Sequence, residues 1–205
     1  MFVLAGSNTV RHLSSDTSQI RYVDKVLPHI LFRFQHMFND IALIRITKPF
    51  NRNAYVQLAP LPVIFDNDLF KGAVVCTVAG WGQIRPNSNK NAGQFLQHVK
   101  VPLIETSKCK VRPLSLFASL CAGKPEGGAD ACQGDSGGPL VCKDLVFGIV
   151  SWGSGCARPR TPGVYCRVDR YLDWINKTIA TNCAGFVLLR FYYILIFLLL
   201  QIIIH

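Results

Sequence analysis

The chain has eight cysteines but no Cys-x-x-Cys pair. The paired-ligand spacing of a structural zinc site is therefore missing, and no metal is expected. No basic run is longer than two residues. The formal charge of +10, from 22 Lys and Arg against 12 Asp and Glu, is scattered along the chain. That scatter argues against a nucleic-acid face and leaves weak attraction to acidic glycans or membranes. The charge density of a disordered chain is also lacking, since 17% of residues are charged and 50% are hydrophobic. Over 205 residues this supports a packed core in one large domain or two small ones. No internal repeat stands out. Met1 to Gly6 offers neither a basic n-region nor an apolar stretch long enough for a signal peptide. Eight cysteines without a metal pattern point instead to disulfides and an oxidising compartment.

What the front lacks, the back has in excess. Gly185 to Ile204 holds one charge, Arg190, one amide, Gln201, and 15 Leu, Ile, Phe or Val residues. Each such residue favours mid-membrane by about 0.3 to 0.6 kcal/mol, which outweighs an Arg able to snorkel. Twenty helical residues match the roughly 30 Å hydrocarbon thickness, so residues 184–205 are expected to be a membrane-anchor helix. A removable lipid-anchor signal ranks second, because the small residues around Asn182 to Gly185 precede the tail. A translated non-coding stretch ranks third.

Between the ends the pattern is that of strands. Apolar and β-branched runs at Phe2–Leu4, Ile41–Ile46, Ala73–Val78, Leu96–Leu103, Leu140–Cys142, Leu145–Ser151 and Gly163–Val168 alternate with turn clusters. An all-β sandwich or barrel is expected. Val168, Tyr171, Leu172, Ile175 and Ile179 share one face of a late helix. Pro60-Leu61-Pro62 marks a crossing between two halves.

The chemistry gathers at Asp130-Ala131-Cys132-Gln133-Gly134-Asp135-Ser136-Gly137-Gly138-Pro139. Glycines beside a serine allow a tight turn with an exposed hydroxyl and backbone N–H groups aimed at a developing oxyanion. This string resembles the nucleophile loop of the trypsin-like serine proteases. Asn39 to Ile44 resembles the block carrying that family's aspartate, and Cys76 to Gly82 the opening of its second barrel. Ser151 to Cys156 and Thr161 to Tyr165 resemble its substrate strand and the back of its specificity pocket. The resemblance runs from Val3 to about Ile179.

That resemblance implies an all-β, trypsin-like double β-barrel with an incomplete N-terminal barrel, one C-terminal helix and then the tail. Residues 1–63 would be the partial first barrel and residues 64–183 the second barrel with the helix. Ser136 is implied as nucleophile, Asp40 as the group orienting the base, and the N–H groups of Gly134 and Ser136 as oxyanion hole. Asp130 would sit at the bottom of the primary pocket, between Gly153 and Gly163, and pair with a substrate Arg or Lys. Ser151, Trp152 and Gly153 would pair with the substrate backbone. Asp135 would be the carboxylate that meets a newly formed amino terminus on activation. The resemblance also pairs Cys76 with Cys142, Cys109 with Cys121, and Cys132 with Cys156. Cys166 and Cys183 are left over, bonded to each other, bonded to sequence outside this chain, or free. Asn176-Lys177-Thr178 is a glycosylation sequon on the late helix.

The departure is at the front. None of His12, His29, His36, His98 and His205 stands in the family's histidine block, and the activation block is absent. Lacking the terminal amine, Asp135 is expected to turn outward and the oxyanion hole to collapse. Val3, Leu4, Ile20, Val23, Val26 and Leu27 read as core residues of a barrel that is only half present, with open strand edges. One explanation covers all of this, namely an N-terminally truncated fragment or incomplete gene model. The expected activity is a serine endopeptidase cleaving after Arg or Lys in protein or peptide substrates, without a cofactor. It would be secreted or anchored at the cell surface by its tail, with no nucleic-acid partner. The alternatives are an inactive pseudoprotease acting as a binding module and a non-functional fragment.

Overall fold

Beta-branched and aromatic runs broken by Gly and Pro turns account for the architecture of the computed structural model. It describes residues 1–10, 16–63, 73–84, 93–110 and 117–183, and the backbone of 195–197. Strands β1 (Phe2–Ala5), β2 (Gln19–Pro28), β3 (Ala42–Ile46) and β10 (Leu195–Phe197) form a four-stranded sheet in the order β1-β2-β3-β10. Strands β4 (Val75–Gly80), β5 (Gln97–Ile104), β6 (Ser119–Ala122), β7 (Pro139–Cys142), β8 (Leu145–Trp152) and β9 (Gly163–Arg167) close into a barrel in the order β4-β5-β6-β9-β8-β7. All pairings are antiparallel.

The barrel interior is filled by Val78, Val101, Leu120, Leu140, Phe147 and Tyr165, all nearly inaccessible. Each large apolar side chain buried this way stabilises the fold by about 1.5 to 3 kcal/mol. Cys76–Cys142 staples β4 to β7 at directly paired positions, Cys109–Cys121 ties the loop after β5 to β6, and Cys132–Cys156 bridges two loops. A second cluster joins barrel and sheet. Ile41, just before β3, and Leu43 on it meet Ile149 and Cys166 from the barrel, and Val168, Tyr171 and Ile175 beyond it.

The last three of those residues recur at helical spacing, and α1 (Leu172–Cys183) follows a single 3-10 turn at Val168–Arg170. Arg45 Nη1 donates to the carbonyl of Asn182 at 2.6 Å and Lys25 Nζ to its side-chain oxygen at 2.8 Å. Two cations thus meet the negative end of the helix dipole and fix α1 to β2 and β3.

Two expectations need correcting. Val3, Leu4, Ile20, Val23, Val26 and Leu27 are half-buried, because an open four-stranded sheet covers its residues less fully than a closed barrel. The hydrophobic tail is a strand, not a helix, at Leu195–Phe197, where it pairs with β3. A short run of Leu, Ile and Phe suits either state, and the unpaired edge of β3 supplies ladder partners that a helix does not use. Among the described residues no helix is long and apolar enough to cross a membrane. The remainder of the proposed anchor, 184–194 and 198–205, lies outside the described residues, as does the side chain of Cys183.

Candidate active site

Asp40 stands just before β3, on a loop that bends sharply through Met37 and Asn39, both at positive φ (49° and 54°). Asn39 tolerates that conformation better than most residues. Its amide donates to the Leu31 carbonyl at 2.8 Å, and its side-chain oxygen accepts from Tyr171 Oη at 3.0 Å. This loop places the Asp40 carboxylate in the interior, 2% exposed. Ser151 Oγ donates to Asp40 Oδ2 at 2.7 Å and is its hydrogen-bond partner among the described residues. Burial pushes the Asp40 carboxyl up to about 6, against the opposing pull of the Ser151 hydrogen bond.

Ser151 reaches Asp40 because of a bulge. Val150 pairs with Tyr165 and Trp152 with Val164, so Ser151 is the extra residue of β8 against β9. A bulge re-aims the side chain it carries. Sequence reading assigns Ser151 only to the substrate strand. The bulge that turns it toward Asp40 has no signal in the sequence.

Ser136 lies in a cleft of about 230 Å³ shared with Asp130, Ser151, Trp152, Gly153 and Gly163. No histidine lines this cleft among the described residues. His29 packs against Tyr171 and Trp174, His36 against Phe38, and His98 lines a different cavity. His12 and His205 lie outside the described residues.

The lining of this cleft is unusual in its polarity. Asp130 accepts from the N–H of Ala131 at 2.8 Å and from that of Ala157 at 3.4 Å. Burial raises its carboxyl to about 6. Among the described residues the Tyr165 hydroxyl is buried without a hydrogen-bond partner, and burial followed by the Asp130 and Asp135 charges raises it well above the usual phenol. A β-carbon on Gly163 would stand 3.0 Å from Asp130 Oδ1 and 3.2 Å from the Tyr165 hydroxyl. Any side chain there would fill the space above the carboxylate. Tyr165 is a residue that sequence reading leaves without a role, although the block containing it was recognised.

Asp135 departs from expectation. Its carboxylate does not turn outward. Oδ1 accepts from the Gly82 N–H at 2.8 Å and Oδ2 from the Cys132 N–H at 2.9 Å. Two backbone donors satisfy the charge without a cation, which a reading of side chains alone could not foresee. The Gln133 carbonyl accepts from the Gln83 N–H at 2.8 Å. In a trans peptide the N–H opposes the C=O, so the Gly134 N–H points away from Gln83. Gly134 holds this turn at φ +96°, and its α-carbon side packs against Gly82 so closely that a β-carbon would meet Gly82 Cα at 3.0 Å. A cavity of about 230 Å³ lies beside Asp135, lined also by Gly80, Gly82, His98 and Asp130.

Cys166 lies instead near Asp40 and Tyr171. It is buried, its thiol is free among the described residues, and burial together with the Asp40 charge raises its pKa, keeping it protonated and unreactive.

The described residues thus bring a serine on a double-glycine turn, a buried aspartate and a second carboxylate, Asp130, to one end of a six-stranded antiparallel barrel. The Trypsin family model matches residues 1–175. Trypsin eta of Drosophila melanogaster is 43% identical over 159 residues, covering 76% of this chain and 59% of that protein. Trypsin-2 of Salmo salar is 41% identical over 160 residues, covering 77% of this chain and 66% of that one. Transmembrane protease serine 5 of Homo sapiens is 40% identical over 177 residues, covering 82% of this chain and 38% of that one. The chain thus spans less than two thirds of the first of these relatives. It belongs to the trypsin family.

Proposed function

We propose that this chain carries the nucleophile and specificity pocket of a secreted serine endopeptidase that cleaves after Arg or Lys. The observation that carries this reading is the cleft floor. Among the described residues Asp130 is desolvated and held by two backbone donors, and beside it the Tyr165 hydroxyl is buried with no partner. A guanidinium or ammonium brings several N–H donors and a positive charge, which answers both groups at once. Gly153 and Gly163 leave room for the long side chain that delivers it.

In this reading Ser136 attacks the scissile carbonyl, and the Gly134 and Ser136 N–H groups receive the oxyanion. Ser151, Trp152 and Gly153 align the substrate backbone. Asp40 orients an imidazole base and stabilises it once protonated. Its partly unpaired, desolvated carboxylate favours such a cationic neighbour. Asp135 is proposed to respond to a new amino terminus in the adjoining cavity. Three disulfides favour an oxidising, extracellular setting, and Asn176, exposed on α1, is available for glycosylation there.

A second reading, a binding module that keeps the pocket without the base, is favoured by the absence of a histidine from the cleft among the described residues. Calorimetric titration of the chain with benzamidine, a planar amidinium, tests the pocket in either case. Saturable binding that Asp130→Ser abolishes is expected, and no binding by the folded chain overturns the pocket assignment. Grafting a trypsin front segment with its histidine separates the two readings. Turnover of an Arg-ending fluorogenic peptide by the graft supports the enzyme, and binding without turnover supports the module.

A further inference from the structure

We propose that Arg158 is a specificity-determining residue, selecting substrates with an acidic side chain roughly two to four positions before the cleaved Arg or Lys. The inference rests on the reading of Asp130 as the pocket for that Arg or Lys.

Two glycines decide where Arg158 sits. The Gly155 carbonyl stands 3.4 Å from where a β-carbon on Gly153 would lie, so the chain folds back over Gly153 after β8 ends. A β-carbon on Gly155 would in turn meet Arg158 Nε at 2.6 Å and its Cζ at 2.8 Å. The guanidinium therefore lies against the bare α-carbon of Gly155, space that a side chain would have filled. Gly155, at φ +83°, is sandwiched between Gly153 and Arg158 and lines the cleft with Ser136 and Asp130. The loop that carries Arg158 is laced down. The Thr161 N–H donates to the Arg158 carbonyl at 3.2 Å, the Gly128 N–H to the Ala157 carbonyl at 2.9 Å, and the Arg160 N–H to the Pro125 carbonyl at 3.0 Å. Cys132–Cys156 closes its base.

Charge separates the lip of the cleft from its interior. Asp130 lies inside, whereas Arg158 is exposed and forms no ion pair among the described residues. Arg160 and Lys124, on the same laced loops, add positive charge that Glu126 only partly offsets. A substrate chain antiparallel to Ser151–Gly153 has its pocket residue at Ser151 and the residue two before it at Gly153. The residues before that run on past Gly155, within reach of the guanidinium. A planar cation held flat there, with several donors in a fixed fork, is preorganised for a carboxylate. The gain is that of an exposed pair, modest in size and screened by salt.

The test is calorimetric titration of the full chain with benzamidine and with peptides ending in p-amidinobenzylamide. The peptides carry Glu, Gln or Lys at two, three or four positions before the amidine residue. At one or more of these positions Glu should bind about two- to fivefold tighter than Gln, and Lys more weakly than Gln. The advantage of Glu over Gln should vanish in Arg158→Gln and, for the parent, in about 1 M NaCl. Reading a ratio of affinities cancels any general weakening of the cleft by the substitution. Equal affinity for Glu and Gln at every position, or a preference that survives Arg158→Gln, overturns the assignment of Arg158 while benzamidine still binds. No binding of benzamidine by the folded chain overturns the pocket reading and this inference with it, so the two failures are told apart.

Discussion

The Ser151 hydroxyl and the Asp40 carboxylate, 111 residues apart in sequence, meet at 2.7 Å. That one bond joins the barrel strand β8 to the loop that launches β3. It also supplies the hydrogen bond that keeps a buried carboxylate tolerable.

Ser151→Ala should therefore destabilise the chain by about 1.5 to 3 kcal/mol at neutral pH, the range for hydrogen bonds to charged groups. It should also raise the Asp40 carboxyl further, since the bond holds it down. Urea denaturation at pH 7.5 and at pH 4.5 checks both points. The loss should shrink at the lower pH, where Asp40 is protonated in the folded state.

Asp40 and Asp130 should make the fold less stable as pH rises. Both have folded values raised from 3.8 to about 6 by burial. Between these values the unfolded chain has released protons that the folded chain retains. Stability falls through that window and levels off above it. His29, lowered by burial, acts in the opposite direction as pH falls through the histidine range. The comparison of Asp40→Asn with the parent isolates Asp40. The variant should be more stable at pH 7 by about 1 to 3 kcal/mol, from the worth of a pKa unit, and no more stable at pH 3.5. Thermal melts across pH give the answer.

Pocket chemistry is tested by two substitutions. In an activated graft, Asp130→Ser should lower kcat/KM for Arg and Lys substrates by several kcal/mol of transition-state binding. Gly163→Ala should weaken the same substrates by crowding Asp130 and Tyr165, without changing charge. A peptide-library profile reads both, and preferred cleavage after Phe or Leu by the parent graft would refute the pocket reading.

The 205-residue chain expressed alone should show turnover lower than the graft by about 10⁶, the loss that follows removal of a triad base. An oxyanion hole intact at Gly134 and Ser136 would leave residual hydrolysis of about 10³ over water without a base, and a collapsed one would leave none. A serine-directed phosphonate should label Ser136 far more slowly in the chain than in the graft. Equal labelling would mean that one of the present histidines reaches Ser136.

Asp135→Ala should cost more than Asp135→Asn. The alanine leaves the Gly82 and Cys132 N–H groups unpaired, whereas the asparagine keeps an acceptor for one of them. Denaturation midpoints and the residual hydrolysis of the chain should fall in that order.

Much of the second barrel was legible because its strands carry their pattern openly. The runs at Leu145–Ser151 and Gly163–Val168 lie within two residues of the observed bounds. Ser119–Ala122 was not legible. It is buried on all four residues, so it shows no alternation, and Ser, Leu, Cys and Ala carry no strand preference. The tail was misread because length and apolarity speak for a helix, while the missing ladder partner of β3 is a tertiary fact. Asp135 was misread because its partners are backbone N–H groups, which every sequence has and none displays. The meeting of Asp40 with Ser151 depends on a one-residue bulge, equally silent.

All three disulfides lie between Cys76 and Cys156, and among the described residues none reaches the sheet of β1, β2, β3 and β10. Under mechanical tension the two halves would behave differently. The four-stranded sheet can unravel to its full contour. The barrel cannot, because the Cys76–Cys142 bridge alone withholds 66 residues of sequence, about 220 Å of extended chain. An optical trap pulling on the two termini should record that missing length as a shortfall, which a reductant in the buffer restores.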